Sequence, residues 1–177
     1  MTRTKSKYSK LPGTFALVFV ILLVCFYFFY NSELNKSHLQ PVVLNLQAQL
    51  GTFLINLFDS SVSVHGNVIH GNSFSMELSK GCDGIEVTAL LLAGILAFPS
   101  NWKEKFKGLF WGVSIIALLN ILRIPLLYWA GSRISTELFD LIHVQGGFIF
   151  FVSVTILIWA YWIINLINQR QAELKIG

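Results

Sequence analysis

Long apolar segments are the feature that most constrains what this chain can fold into. Of its 177 residues, 54% are hydrophobic and only 12% are charged, whereas a soluble domain carries roughly 25% charged residues. The apolar residues are concentrated in runs close to the length of about 20 residues with which a helix crosses a bilayer. We therefore predict an all-α polytopic membrane protein in which residues 1–177 form a single integral-membrane domain.

The distribution of basic residues predicts the orientation of four transmembrane helices. Nine of the thirteen Lys and Arg lie in three short polar segments, and such residues are enriched in cytoplasmic loops. Both termini are therefore expected in the cytoplasm, and the net charge of +4 indicates topology rather than nucleic-acid binding. The predicted boundaries are 1–13 for the basic amino terminus, 14–30 for the first span, 31–81 for an outer segment, 82–98 for the second span, 99–107 for a cytoplasmic loop, 108–129 for the third span, 130–140 for an outer loop with Arg133, Glu137 and Asp140, 141–167 for the fourth span and 168–177 for the tail.

The first span has a competing interpretation as a cleavable signal peptide. A signal peptide has a shorter apolar core, and no small-x-small cleavage motif follows Tyr30. The pattern therefore favours a retained membrane anchor.

The outer segment is predicted to contain an amphipathic helix followed by β structure. In Pro41–Phe58, polar residues recur at helical spacing opposite an apolar face, and an interfacial helix fits the topology better than a further span. Alternation and turn residues in Ser61–Leu78 predict a small hairpin or three-stranded meander. The polar positions of the helix are Asn45, Gln49, Thr52 and Asn56, and the apolar ones are Val43, Leu46, Leu50, Phe53, Leu54 and Leu57.

Cys82 is a lone thiol where the outer segment meets the second span. Gly81 and Gly84 flank the Cys-Asp pair, and glycines permit close approach of a ligand to the backbone. A helix amino terminus and a nearby cation both lower a thiol pKa and create a nucleophilic thiolate. Cys25 lies inside the first span, where a small packing side chain is expected. The two cysteines form no CxxC motif, and we predict no disulfide between them.

Two further reactive residues converge on Cys82 in the predicted topology. Arg123 lies near the outer end of the third span with Asn120 one turn before it, and His143 begins the fourth span. An ionisable residue inside a span marks a functional site by default. The alternatives are that Arg123 snorkels to the headgroups, that His143 is an interfacial histidine and that Cys82 is a packing residue.

Two acidic residues next to Cys82 leave open whether the thiol is ionised. Asp83 and Glu86 would oppose thiolate formation if they faced the thiol, and Glu86 could instead pair with Arg123.

His65 and His70 lie five residues apart and could bind a metal, but exposed turn histidines are the simpler interpretation. We predict no metal and no cofactor.

Three short motifs carry a family resemblance. Cys82-Asp83-Gly84-Ile85, then Asn120-Ile121-Leu122-Arg123-Ile124, then His143 with Gly146 resemble the exosortase/archaeosortase family, and the short chain is similar to its compact, exosortase H-type members. The resemblance covers residues of roughly 60 to 150. Asp83 departs from the family pattern, in which a small residue such as Ser is more common.

The resemblance implies a cysteine peptidase and transpeptidase of the cytoplasmic membrane, active at its outer face. Cys82 would attack the carbonyl of a C-terminal sorting signal, His143 would serve the leaving amine and the acceptor, and Arg123 would stabilise charge. Asn120, Gly84 and Glu86 are candidate supporting residues. The implied partners are exported proteins whose tails hold a short motif, a transmembrane helix and a basic cluster. Water, an amine and a lipid-linked group all remain open as acceptors.

Two other classes of function compete with this hypothesis. The first is a non-enzymatic transporter or assembly subunit in which Arg123 and Asn120 line a polar path. The second is a membrane thiol oxidoreductase, for which Cys25 is poorly placed as the resolving cysteine. The first predicts that Cys82 is dispensable while Arg123 is not, whereas a transpeptidase requires both.

Overall fold

The structure, a computed structural model, describes residues 11–72, 74–135, 138–139 and 141–176. It consists of helices with one small sheet, which confirms the predicted fold class. The basic residues of positions 1–10, together with Glu137 and Asp140 of the predicted outer loop, lie outside the described residues. The helices are α1 (Leu11–Tyr30), α2 (Gln40–Asn56), α3 (Ile85–Ala97), α4 (Trp102–Gly131) and α5 (Gly147–Ile176), π-helical turns occupy Asn35–Leu39 and Leu141–Gly146, and the strands are β1 (Ser63–His65), β2 (Val68–His70) and β3 (Ser75–Glu77).

Three of the described helical segments are long and apolar enough to cross a membrane. They are Gly13–Tyr30, Trp102–Gly131 and Leu141–Ala172, and they correspond to the first, third and fourth predicted spans. The predicted second span, 82–98, forms only the 13-residue helix α3. At 1.5 Å per residue this helix is about 20 Å long, short of the roughly 30 Å hydrocarbon core.

Local backbone chemistry explains why α3 is short. Gly84 precedes it with a φ of 71°, a left-handed conformation that ends helical propagation toward Cys82. At the other end Phe98 is extended, because the helical region is disfavoured for the residue before a proline. The loop around Cys82 therefore stays outside the helix, although the sequence predicted that the span begins at the cysteine itself.

Helix α3 packs against α1, α4 and α5, and its buried side chains form a core with the latter two. Glycines allow close packing here. A Cβ at Gly94 would lie 2.9 Å from Trp159 Nε1, and a Cβ at Gly108 would lie 2.5 Å from the corresponding atom of Trp162. This core consists of Val87, Leu91 and Ile95 of α3, Ile116 of α4 and Phe151 of α5.

A second core lies between the sheet, α2 and the last turns of α4. The strands pair antiparallel in the order β1-β2-β3, which confirms the predicted β structure and identifies it as a meander. Ile69 and Met76 are direct partners in the register, and both are buried in this core with Leu44, Ala48, Ile55, Val62, Leu78, Ile124, Leu127 and Tyr128.

Helix α2 has a buried stripe in addition to the polar face and the apolar face that the sequence predicted. Its buried stripe contacts α4, where Gly51 lies directly against the side chain of Ile124. Thr52, predicted on the polar face, is instead buried beside Gly51. Of the predicted apolar face, Leu46, Leu50, Phe53 and Leu57 are exposed, whereas Val43 and Leu54 are half-buried.

Candidate active site

The loop that carries Cys82 is held by side chains of three helices. Each of three consecutive backbone carbonyls accepts a hydrogen bond from a side chain, so the backbone is held at the cysteine and at the two residues that follow it. Gly81, with a φ of 92°, and Gly84 provide the left-handed positions that this loop requires. The bonds join Asn120 Nδ2 to the Cys82 carbonyl at 3.0 Å, Gln47 Nε2 to the Asp83 carbonyl at 2.8 Å and Thr88 Oγ1 to the Gly84 carbonyl at 2.8 Å.

The Cys82 thiol contacts His143 across 61 positions of sequence. The Sγ–Nε2 distance is 2.9 Å, within reach for direct proton transfer. His143 lies in the π-helical turn Leu141–Gly146 rather than in the first turn of an α-helix, and π-helical turns are frequent at functional sites. The Phe139 ring stacks on the imidazole at 5.4 Å with an interplanar angle of 6°, which fixes the imidazole plane.

Arg123 contacts the same histidine from the other side of its ring. Its Nη2 donates a hydrogen bond to the His143 carbonyl and lies 3.5 Å from Nδ1. Gly147 leaves room for this side chain, because a Cβ at that position would overlap the guanidinium group where it now lies. The Phe151 ring lies 5.6 Å from the guanidinium carbon, within cation–π range. The cation therefore supports the imidazole directly and lies within the polar cluster of the thiol.

Asn120 connects α4 to the cysteine loop. Its side chain is 2% exposed, and its amide nitrogen donates to the Cys82 carbonyl. Its Oδ1 has no hydrogen-bond partner among the described residues. A Cβ at Gly84 would lie 3.3 Å from Asn120 Cγ, so the glycine allows the amide to reach the loop.

The two acidic residues occupy different environments. Asp83 is buried, and its carboxylate accepts hydrogen bonds from the Tyr30 hydroxyl and the Ile85 N–H, each at 3.0 Å. Burial raises the pKa of the Asp83 carboxyl, while the hydrogen bonds from Ile85 and Tyr30 oppose that shift. The carboxylate is thus engaged by α1 and by the first residue of α3.

Glu86 does not pair with Arg123. Within the described part of the chain, the ion pairs are Lys36–Glu33 and Arg170–Glu104. The guanidinium charge is therefore not neutralised by this carboxylate, which was one of the alternatives left open by the sequence.

A cavity of about 270 Å³ opens over the thiol. Lys80, Phe148 and others line it together with all six candidate catalytic and supporting residues: Cys82, Gly84, Glu86, Asn120, Arg123 and His143.

His65 and His70 lie in the sheet with their rings 5.7 Å apart. The described residues contain no group of three or more metal-ligating side chains suited to a metal ion.

Several side chains of the site were missed by sequence reasoning. Gln47 and Tyr30 lie on helices distant in sequence, and their roles depend on how these helices pack against the loop. Phe139 precedes His143 by four residues, a spacing that places two side chains on one helical face and could have indicated the ring contact. Cys25 is exposed on α1 instead of packing inside, and both cysteines are free thiols as predicted.

Comparison with known proteins identifies one family. A family model described as transmembrane exosortase matches residues 8–160, which is most of the chain and includes all the residues of this site. No curated protein and no solved structure matches the chain.

Proposed function

The chain belongs to the transmembrane exosortase family, and from this premise we propose that it is a membrane-embedded cysteine transpeptidase with Cys82 as its nucleophile. The observation that carries the proposal is the 2.9 Å contact between Cys82 Sγ and His143 Nε2. A nucleophile within hydrogen-bond reach of a base that is oriented by a third group is the arrangement that covalent catalysis requires.

The proposed reaction starts with transfer of the thiol proton from Sγ to His143 Nε2. The thiolate attacks the carbonyl carbon of the scissile peptide bond and forms a C–S bond. The C–N bond then breaks as the imidazolium donates its proton to the leaving amine, which leaves a thioester on Cys82. An acceptor with an N–H or O–H group attacks the thioester carbonyl while His143 takes its proton. The C–S bond then breaks, and the imidazolium returns the proton to the thiolate of Cys82.

Arg123 is proposed to serve this reaction through charge and position. Its hydrogen bond to the His143 carbonyl fixes the π-helical turn that presents the imidazole to the thiol. A cation in a site screened from water also stabilises the thiolate and the oxyanion of the tetrahedral intermediate. Asn120 and Gly84 are proposed as positioning residues for the cysteine loop, and Glu86 as a polar residue of the cavity wall.

The proposed substrates are exported proteins with a C-terminal motif, transmembrane helix and basic cluster. The clustered Lys and Arg support a location in the cytoplasmic membrane with both termini in the cytoplasm. In that orientation Cys82 lies at the outer face, level with the outer boundary of a substrate helix. Cleavage there would release the exported domain to an amine, a lipid-linked acceptor or water.

The test is co-expression with an epitope-tagged reporter that ends in such a tail from an exported protein of the same organism. We expect C-terminal processing by the wild type, loss of processing with Cys82→Ala, His143→Ala or Arg123→Ala, and full processing with the matched thiol control Cys25→Ala. A thioester adduct on Cys82 should be trapped by mass spectrometry. Processing that survives Cys82→Ala would refute the proposal, and a requirement for Arg123 alone would favour the transporter alternative.

A further inference from the structure

A second and larger cavity, of about 720 Å³, opens on the side of the helical bundle. We call it the lateral groove. One wall is formed by α1, the other by α5, and α3 forms its floor. Its lining is almost entirely apolar along its length and includes Val20, Val24 and Tyr27 of α1, Leu90 of α3 and Val152 of α5.

The groove exists because α1 and α5 meet at one end only. Phe15 stacks on Trp159 with ring centroids 5.9 Å apart, which closes the end of the groove remote from the site. Toward Tyr30 and Phe148 the space between these helices is occupied by the groove. Helix α3 forms the back of this space with Glu86, Val87 and Leu90.

The open end of the lateral groove is continuous with the cavity over the thiol. Four residues line both: Lys80, Glu86, Val87 and Phe148. A molecule bound along the groove would therefore have one of its ends beside Cys82. The wall also changes character at this junction, from apolar side chains to the charged Lys80 and Glu86.

We propose that the lateral groove seats the apolar transmembrane helix of the protein substrate and presents the residues just outside that helix to Cys82. The inference rests on the proposed function and adds where the substrate helix binds. The lateral groove is apolar along α1 and charged where it meets the cavity over the thiol. A substrate tail changes from polar to apolar at the residue where its transmembrane helix begins. The apolar helix therefore matches the groove, and the polar chain before it matches the charged junction.

The dimensions of the groove fit a helix that is half enclosed. From Val20 to Tyr30 the wall rises ten residues, about 15 Å. A helix of that length and of about 10 Å diameter occupies roughly 1,200 Å³. The groove of about 720 Å³ is of the same order as this volume and is open along one side, where the remaining face of the substrate helix would meet lipid.

Two positions of α1 provide a matched pair for the test. Val24 lines the groove and is 47% exposed, whereas Ile21, three residues earlier, does not line it and is 49% exposed. The photo-crosslinking residue p-benzoylphenylalanine is placed at one or the other position in full-length protein that carries Cys82→Ala. The probes are the tailed reporter described above and, separately, a phospholipid with an alkyne-labelled acyl chain.

We expect the reporter tail to crosslink at position 24 on the order of tenfold more than at position 21, with the crosslinked residues inside its apolar helix. Equal crosslinking at the two positions would overturn the proposal. So would crosslinking of position 24 to the labelled lipid that persists undiminished when the reporter is present, because the groove would then hold an acyl chain rather than the substrate helix.

A second variant tests the groove in the active protein. Val24→Trp fills the groove and should lower reporter processing on the order of tenfold, while alkylation of Cys82 by a small maleimide stays unchanged and Ile21→Trp processes normally. Unchanged processing in Val24→Trp would contradict the proposal. The failures are distinguishable, because a wild type that never cleaves the reporter refutes the proposed function, whereas normal cleavage without preference for position 24 refutes only the groove.

Discussion

Replacement of Gly84 by alanine should disturb the thiol through its contact with Asn120. A non-glycine residue in the left-handed region costs about 1–2 kcal/mol. Gly84 has a φ of 71°, and its new Cβ would lie 3.3 Å from Asn120 Cγ. The amide must then move by a few tenths of an ångström, which lengthens its 3.0 Å bond to the Cys82 carbonyl.

Gly81→Ala is the matched control for this variant. Gly81 also has a positive φ, of 92°, but a Cβ there meets nothing within 4 Å. Both variants therefore carry backbone strain, and only Gly84→Ala weakens the bond from Asn120. A neutral hydrogen bond contributes about 0.5–1.5 kcal/mol, so the excess destabilisation of Gly84→Ala should be about 1 kcal/mol. Because the hydrogen bond from Asn120 aligns the thiol, a loss of about 1 kcal/mol should lower the alkylation rate of Cys82 roughly fivefold.

The assay combines thermal unfolding in detergent with the rate of maleimide alkylation of Cys82, in a Cys25→Ser background that leaves one thiol. A double-mutant cycle with Asn120→Ala isolates the contact, and the excess effect of Gly84→Ala should vanish in that background. The reasoning is refuted if Gly81→Ala and Gly84→Ala slow alkylation equally, or if the excess persists without the Asn120 side chain.

Three further variants test the supports of the site. Gln47→Met removes the donor to the Asp83 carbonyl while keeping length; we expect a loss of about 1–3 kcal/mol from the buried carbonyl left unpaired, measured by thermal unfolding, and slower alkylation of the thiol, whereas Gln49→Met on the exposed face should leave both unchanged. Tyr30→Phe removes the hydroxyl bonded to the Asp83 carboxylate and should destabilise the protein by about 1 kcal/mol; an unchanged melting temperature would contradict this. Gly108→Val places a side chain against the indole of the last helix and should cost at least about 1–3 kcal/mol by overpacking; a stable variant with normal reporter processing would argue against this helix contact.

Agreement between sequence and structure is closest where the information is local. Apolar runs of spanning length predicted the helices now seen as α1, α4 and α5, and alternation with turn glycines predicted the β-meander. The order of polar residues along the chain also predicted that Cys82, Arg123 and His143 come together, because each of them lies at the end of a helix that the alternating topology places on the same side of the bundle.

Contacts between distant elements could not be predicted in the same way. The Gln47 side chain reaches the Asp83 carbonyl across 36 positions, and the Tyr30 hydroxyl reaches the Asp83 carboxylate across 53. No periodicity distinguishes these two side chains from polar residues that face outward. Their partners are decided by which helices pack together and at what rotation.

The sequence by itself determined that the chain is a polytopic membrane protein, and it predicted that one thiol, one guanidinium and one imidazole lie near one another. Apolar length and the order of polar residues are properties of the chain alone, and burial of apolar surface acts on them directly. Only the tertiary structure decided that Arg123 supports His143 rather than pairing with Glu86, and that α1 and α5 leave a groove leading to the thiol. These features depend on glycine-permitted close packing and on gaps between helices, which arise only when the elements are assembled.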